Sequence, residues 1–477
     1  MKLLSGNRSA FLGAAAAAAA MVAVCLIMTG DHGPPNHVTI SFQTLPARGT
    51  REFREVEEII HLFRRERPEI HVKLLPDAPR ERHLIVRRTL AEAPDILEVP
   101  LASISALAEK GRVVELGDVF SRELGELFPS ALAAAQYNNA AYAVPFRAAS
   151  TQLIYNGAIL LKAGYLTEDP LLNNWSELLE TCRAIRRSAH GRICWPLGID
   201  GGEPDALANL GAMLAKQTEA KLLAFGKHEG MREFGDTWRV ALNNDAGVYA
   251  LTMLQQLGEH VPPEALHWSR EDLLRKFIAG HVAMFFGDAR ALSRVRTAAP
   301  GIQVRAIEAP IDRTRASCVE FYGAVMTPTA RHRDACKKLL AYLCSAQAQN
   351  IIMTGGSDGH PVFAPVREDL LYDPWYNDHP DYKPFVKALR YPSAHTRVQA
   401  WGEVRKQAFV PELRKVLSGE TDVEAAAQNI EGIGNNVLST YYGYIGHASE
   451  TTVLGMSIIG IGVFLLVFFT VGHRAKH

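Results

Sequence analysis

Apolar and polar positions alternate with a period of two over Val38-Thr-Ile-Ser-Phe42, which predicts a strand. Phe53, Val56, Ile59, Ile60 and Phe63 then recur every three or four residues, predicting an amphipathic helix that ends before Pro68. Ile70–Leu74 predicts a second strand, Arg80–Leu90 a basic helix and Pro94–Val99 a third strand. Ile104–Glu109 predicts a short helix stopping at Gly111. Strands alternating with helices imply parallel crossovers and an α/β lobe.

The pattern changes over Tyr142–Asn156. An apolar strand, Tyr142-Ala-Val-Pro145-Phe-Arg147, is expected to end at its proline. A small-residue segment follows, Ala148-Ala149-Ser150-Thr151, and a second strand begins at Leu153. Neither a turn glycine nor a helix separates the two, which suits a chain crossing between lobes. Trp175–Arg187 predicts a helix with Asn174 as its cap and Glu177 completing a capping box. Arg192–Leu197 predicts a strand, and Asp205–Leu257 is mostly helical with breaks at 226–235 and 243–247. A helix over Asp272–Gly280 leads into the strand His281–Phe286. Strands at Ile302–Ile307 and Val319–Met326, a helix at Arg333–Cys344 and a turn at Gly355-Gly356 follow. The remainder, 366–447, is expected to be helical, with Val423–Leu438 the last helix.

At 477 residues the chain exceeds what one core usually serves, so two lobes are expected. Lys and Arg balance Asp and Glu at 51 each, leaving no basic excess for nucleic acid. Both ends have membrane-type sequence. Lys2 and Arg8 precede an apolar run over Ala10–Met28, the pattern of an export signal within 1–30, cleaved or kept as an anchor. Val22-Ala-Val-Cys25 is an imperfect lipoprotein box, so lipidation at Cys25 stays open. Val453–Val471 has no charged residue and is followed by Arg474 and Lys476, which predicts a transmembrane helix over 453–471. The positive flanks place both ends inside and the body outside the cytoplasm. Cys182 and Cys194 flank one helix-to-strand connection and could pair, while Cys336 and Cys344 are too far apart along a helix to do so. Metal-ligating His/Cys spacing is missing, and no cofactor is expected.

Motifs in order carry a resemblance over about 38–440. These are Phe63-x-x-x-x-Pro68-x-Ile70-x-Val72, Pro94-Asp95-Ile followed by Leu107-Ala-Glu-Lys-Gly111, and Tyr142-Ala-Val-Pro145. Leu153-Ile-Tyr155-Asn156, Asn174-Trp175-Ser-Glu-Leu178 and Phe277-Ile-Ala-Gly280-His-Val-Ala-Met284 continue the series. Ala335–Gln347, His360-Pro361 and Ser418–Ala425 close it. Together they resemble the extracellular solute-binding proteins of ABC importers, of the maltose-binding type. The resemblance implies a two-lobed periplasmic-binding-protein-like α/β fold of type II with ligand held between the lobes. Lobe one would be 38–147 plus 305–358, and lobe two 150–303 plus 362–445. It implies no catalysis and, as partners, a small solute (a sugar or polyol), ABC permease subunits and the membrane.

Trp401 falls where that type places a stacking tryptophan. Asp288 and Arg290 occupy the loop after strand 281–286, where the family often carries an aromatic contact. Gln43, Thr44, Glu98 and Arg147 lie at strand ends or at the crossing, and Tyr322 follows another strand. Arg147 and Arg290, if both face the cleft, would favour a phosphorylated or acidic ligand. Arg147, Ala148, Ala149, Ser150 and Thr151 are the expected hinge. A ligand sensor signalling through the C-terminal helix to a partner is the alternative function.

Overall fold

The computed structural model describes residues 37–76, 93–117, 124–164, 172–188, 194–227, 236–393, 398 and 400–442. The expected basic helix at 80–90, the export segment with Cys25 and the apolar segment 453–471 lie outside them. Among the described residues no helix is long and apolar enough to cross a membrane.

Two sheets organise the chain. Strands β1 (Val38–Thr44), β2 (Ile70–Pro76) and β3 (Ile96–Pro100) form part of the first, and β4 (Gln136–Tyr137) and β5 (Ala140–Ala141) make a small separate hairpin. β6 (Val144–Ser150) belongs to the first sheet, while β7 (Gln152–Asn156) and β8 (Trp195–Gly198) belong to the second. β9 (Leu223–Lys227) and β10 (Asp236–Val240) pair only with each other. β11 (Val282–Gly287) and β12 (Val304–Ile307) complete the second sheet and β13 (Val319–Met326) the first. The orders are β2-β1-β3-β13-β6 and β12-β7-β11-β8.

Local chemistry explains the first lobe. The Thr50 side chain accepts the Phe53 N–H and starts the Arg51–Glu66 helix. Phe53, Val56, Ile59, Ile60 and Phe63 are all buried by that helix. Each contributes about 1.5–3 kcal/mol on leaving water. The helix returns the chain for parallel pairing of β1 with β2, and β3 joins β1 in the same sense. β13 runs antiparallel to both β3 and β6.

β6 does not stop at Pro145. It runs on to Ser150 as an edge strand, where a proline costs the ladder least, and its register against β13 shifts beside Gly323. Arg147, Ala148, Ala149 and Ser150 are therefore strand residues, and Thr151 alone separates β6 from β7. The Thr151 N–H donates to the Cys318 carbonyl (2.9 Å) and its carbonyl accepts from Ser317 Oγ (2.8 Å). Ser317 also exchanges backbone bonds with Tyr391 and Ser393. Three chain segments thus pass side by side at the crossing.

Two boundaries move from their expected places. β12 pairs with β7, so the second sheet takes in Val304–Ile307 and extends past residue 303. Residues 362–391 touch both lobes instead of joining lobe two alone. Ala364 exchanges backbone bonds with Ala148, and Val366 accepts from Phe128, while Tyr382 and Asp381 bond Ser293 and Arg296. The expected helical stretch 205–257 is two helices, Pro204–Gln217 and Asp245–Gly258, with the β9–β10 hairpin between them. Helix Val410–Ser418 packs on both. The last helix among the described residues begins at 423 and continues to 442, the last of them. Cys182 and Cys194 are free thiols, the first buried and the second half-buried.

Candidate functional site

A cavity of about 450 Å³ opens beside the crossing and is walled by both lobes. Glu52 from the Arg51–Glu66 helix and Glu320 from β13 face it from the first lobe. Asp200 and Glu203 follow β8 on the second-lobe side, Arg270 opens the Arg270–Ile278 helix, and Asp288 and Arg290 follow β11. Ala149, Ser150 and Thr151 form its floor at the crossing. Its volume lies within the range of small-molecule sites.

Asp288 does two jobs. One oxygen accepts the Ala291 N–H at 3.0 Å and caps the Ala289–Ala298 helix; the other receives Arg290 Nη2 at 2.5 Å and Nε at 2.8 Å. Burial pushes the Asp288 carboxyl upward, but the Arg290 and Arg270 guanidiniums outweigh it and hold the pKa below the usual range. Asp288 in turn raises Arg290, against the opposing effect of burial. Arg270 is bonded to Asp200 and lies 3.8 Å from Asp288. Tyr322 does not itself line the cavity but donates its hydroxyl to Glu320 Oε2 (2.5 Å), and burial with the neighbouring Glu320 charge lifts its pKa above the ordinary phenol value.

Other expected site residues sit elsewhere. Arg147 is buried within the first lobe, with Nε donating to Glu98 Oε1 at 2.7 Å and its guanidinium 4.2 Å from the Phe363 ring centre. Glu98 Oε2 accepts from Thr44 Oγ1 and from the Leu45 N–H. Thr44, Glu98 and Arg147 are thus brought together, but as an internal network, and none of them lines the cavity. Gln43 is buried on β1 beside them and does not line it either. Trp401 is partly buried with its ring 5.6 Å from Phe409, and it too is absent from the cavity wall. Trp175 and Tyr155 are both buried. Asp200, Arg270, Glu52 and Glu320 were not anticipated. Asp200 had a usable signal, since it follows the apolar strand β8 as Asp288 follows β11.

The sequence profile of the bacterial extracellular solute-binding protein family matches residues 88–384, more than half the chain. The chain belongs to this family. Solved structures agree on the fold of this solute-binding protein. The sugar-binding protein MalE from Xanthomonas citri aligns with a TM-score of 0.71 at 16% identity, covering 86% of this chain and 99% of that one. An ABC transporter solute-binding protein from Thermotoga lettingae, bound to alpha-D-tagatose, aligns with a TM-score of 0.67 at 19% identity, covering 84% and 100%. One from Agrobacterium vitis with D-mannitol aligns with a TM-score of 0.63 at 16% identity, covering 84% and 99%. No curated protein matches the sequence. Among the described residues no group of His, Cys, Asp and Glu could hold a metal ion. The two-lobed solute-binding fold therefore presents a polar, charged cavity between its lobes.

Proposed function

We propose that this solute-binding protein captures a carbohydrate or polyol between its lobes and delivers it to an ABC permease. The observation that carries the reading is the cavity at the crossing, walled by Glu52 and Glu320 from one lobe and Asp200, Asp288 and Arg290 from the other. A solute held there touches both lobes, so binding favours their closure, and the closed outer surface is what a permease would recognise. Tagatose and mannitol in proteins of the same fold support a sugar or polyol as ligand.

A phosphorylated or acidic ligand has less support than the arginines first suggested. Arg147 is committed to Glu98 inside lobe one, and Arg290 is bidentate to Asp288. The body would lie outside the cytoplasm, tethered by 453–471, which would raise its concentration near the permease. A thermal-shift screen of the chain against sugars and polyols tests the proposal. Stabilisation that grows with ligand concentration is expected. A flat response to every sugar and polyol would overturn it.

A further inference from the structure

We infer that the cleft selects an amine-bearing sugar or polyol, a cationic solute, over its neutral and phosphorylated counterparts; this rests on the cleft being the solute site. Among the described residues, the cavity wall contains six carboxylates and only three guanidiniums. Each guanidinium is already used: Arg270 by Asp200, Arg290 by Asp288 and Arg294 by Glu271. Asp205 is matched by Arg405. Glu52, Glu203 and Glu320 have no ion-pair partner among the described residues, and the hydrogen bond seen at the Glu320 carboxylate is the neutral Tyr322 hydroxyl.

The placement of these three carboxylates gives the excess a direction. Glu52 and Glu320 belong to the first lobe and Glu203 immediately precedes the Pro204–Gln217 helix of the second. Closure on a neutral solute would take these carboxylates out of water with no ion-pair partner in contact, Arg290 acting on Glu320 only from farther off, and that is costly. An ammonium group has three donors and a positive charge, and it can be shared by carboxylates from opposite walls. It would offset that cost in the closed state and so favour closure. A phosphate would meet the same three carboxylates with a like charge. Among the described residues the wall offers one aromatic ring, Phe286, so charge and hydrogen bonding have more to act with than ring stacking.

The test uses the full chain and matched probes: hexoses, disaccharides and hexitols, each with its amino and its phosphorylated counterpart, titrated calorimetrically. An amino member binding at least about tenfold tighter than its neutral counterpart is expected, the scale of a charge-assisted hydrogen bond. Glu320→Gln keeps an acceptor for Tyr322 and should close most of that gap, and Glu52→Gln and Glu203→Gln should each narrow it. Neutral or phosphorylated members binding as tightly as the amino ones would overturn the inference and leave the importer reading standing. A preference for amines that survives all three substitutions would also overturn it. Binding of no probe in any set would remove the importer reading and this inference together.

Discussion

Arg147 Nη2 lies 2.5 Å from Glu98 Oε1, and the two side chains are only 1% and 0% exposed. Glu98 is on β3 and Arg147 on β6, and β13 runs between them, paired to both. The ion pair therefore clamps two strands across a third, next to the point where β6 crosses into the second lobe.

Removing one partner should be far worse than removing both. Arg147→Met leaves the Glu98 carboxylate buried without its charge partner and should cost about 3–5 kcal/mol. Arg147→Met with Glu98→Gln, which keeps an acceptor for Thr44 and Leu45, should recover much of that loss. Urea unfolding midpoints check this, and a single variant as stable as the parent would show that the pair contributes little.

Glu55 should make stability fall with rising pH. Burial lifts its carboxyl to about 8 from 4.5, outweighing the nearby Arg147 charge, and its Oε2 has no hydrogen-bond partner. The folded state keeps the proton longer than the unfolded one. This stabilisation is thus complete below pH 4.5 and is lost as pH rises through about 8. Glu55→Gln should flatten the thermal midpoint between those values, and an unchanged profile would contradict a protonated Glu55.

Gln217 should be one of the more sensitive uncharged positions. It is fully buried, accepts from Trp175 Nε1 at 2.6 Å and donates to the Pro310 and Ala316 carbonyls at 2.9 and 2.8 Å. It thereby fixes the segment leading from β12 to β13. Gln217→Ala leaves three buried polar groups unpaired and should cost about 2–4 kcal/mol. Chemical unfolding measures that cost, and tryptophan emission should shift as the indole of Trp175 loses its partner.

Asp288→Asn should separate capping from charge. Asparagine can still cap the Ala289–Ala298 helix but cannot neutralise Arg290, so a loss of about 1–2 kcal/mol is expected at neutral pH. Because the folded Asp288 pKa is depressed, its contribution is present above the ordinary value of 3.8 and is lost as pH falls through the lower folded value. The stability gap between parent and variant should close over that acidic range. A gap that persists below it would assign the loss to something other than charge.

Much of the architecture was legible because it is set locally. The repeat of Phe53, Val56, Ile59, Ile60 and Phe63 defines one helix face, and the structure buries all five. Asn174 caps its helix as expected, its Oδ1 accepting the Glu177 N–H, but the Glu177 carboxylate takes the Asn174 side-chain amide and the Asn173 N–H instead of the Asn174 N–H that a capping box would use. The crossing near Thr151 was visible as two apolar strands with no turn glycine or helix between them, although the small residues 148–150 belong to the first strand and do not interrupt it. The site was less legible. Arg147 and Arg290 were both expected at the ligand, but only Arg290 reaches the cavity.

The physical reason lies in sequence separation. The sequence by itself determined the periodicities, the helix starts at Thr50 and Asn174 and the family, since each depends on residues a few positions apart or on motifs in order. Only the tertiary structure decided that β12 joins the second sheet, that Glu98 takes Arg147 out of the cleft, and that Glu52, Glu203 and Glu320 meet around one cavity. Those outcomes depend on strand order and lobe packing, and no alternation of polar and apolar residues encodes which distant charge will be left without a partner.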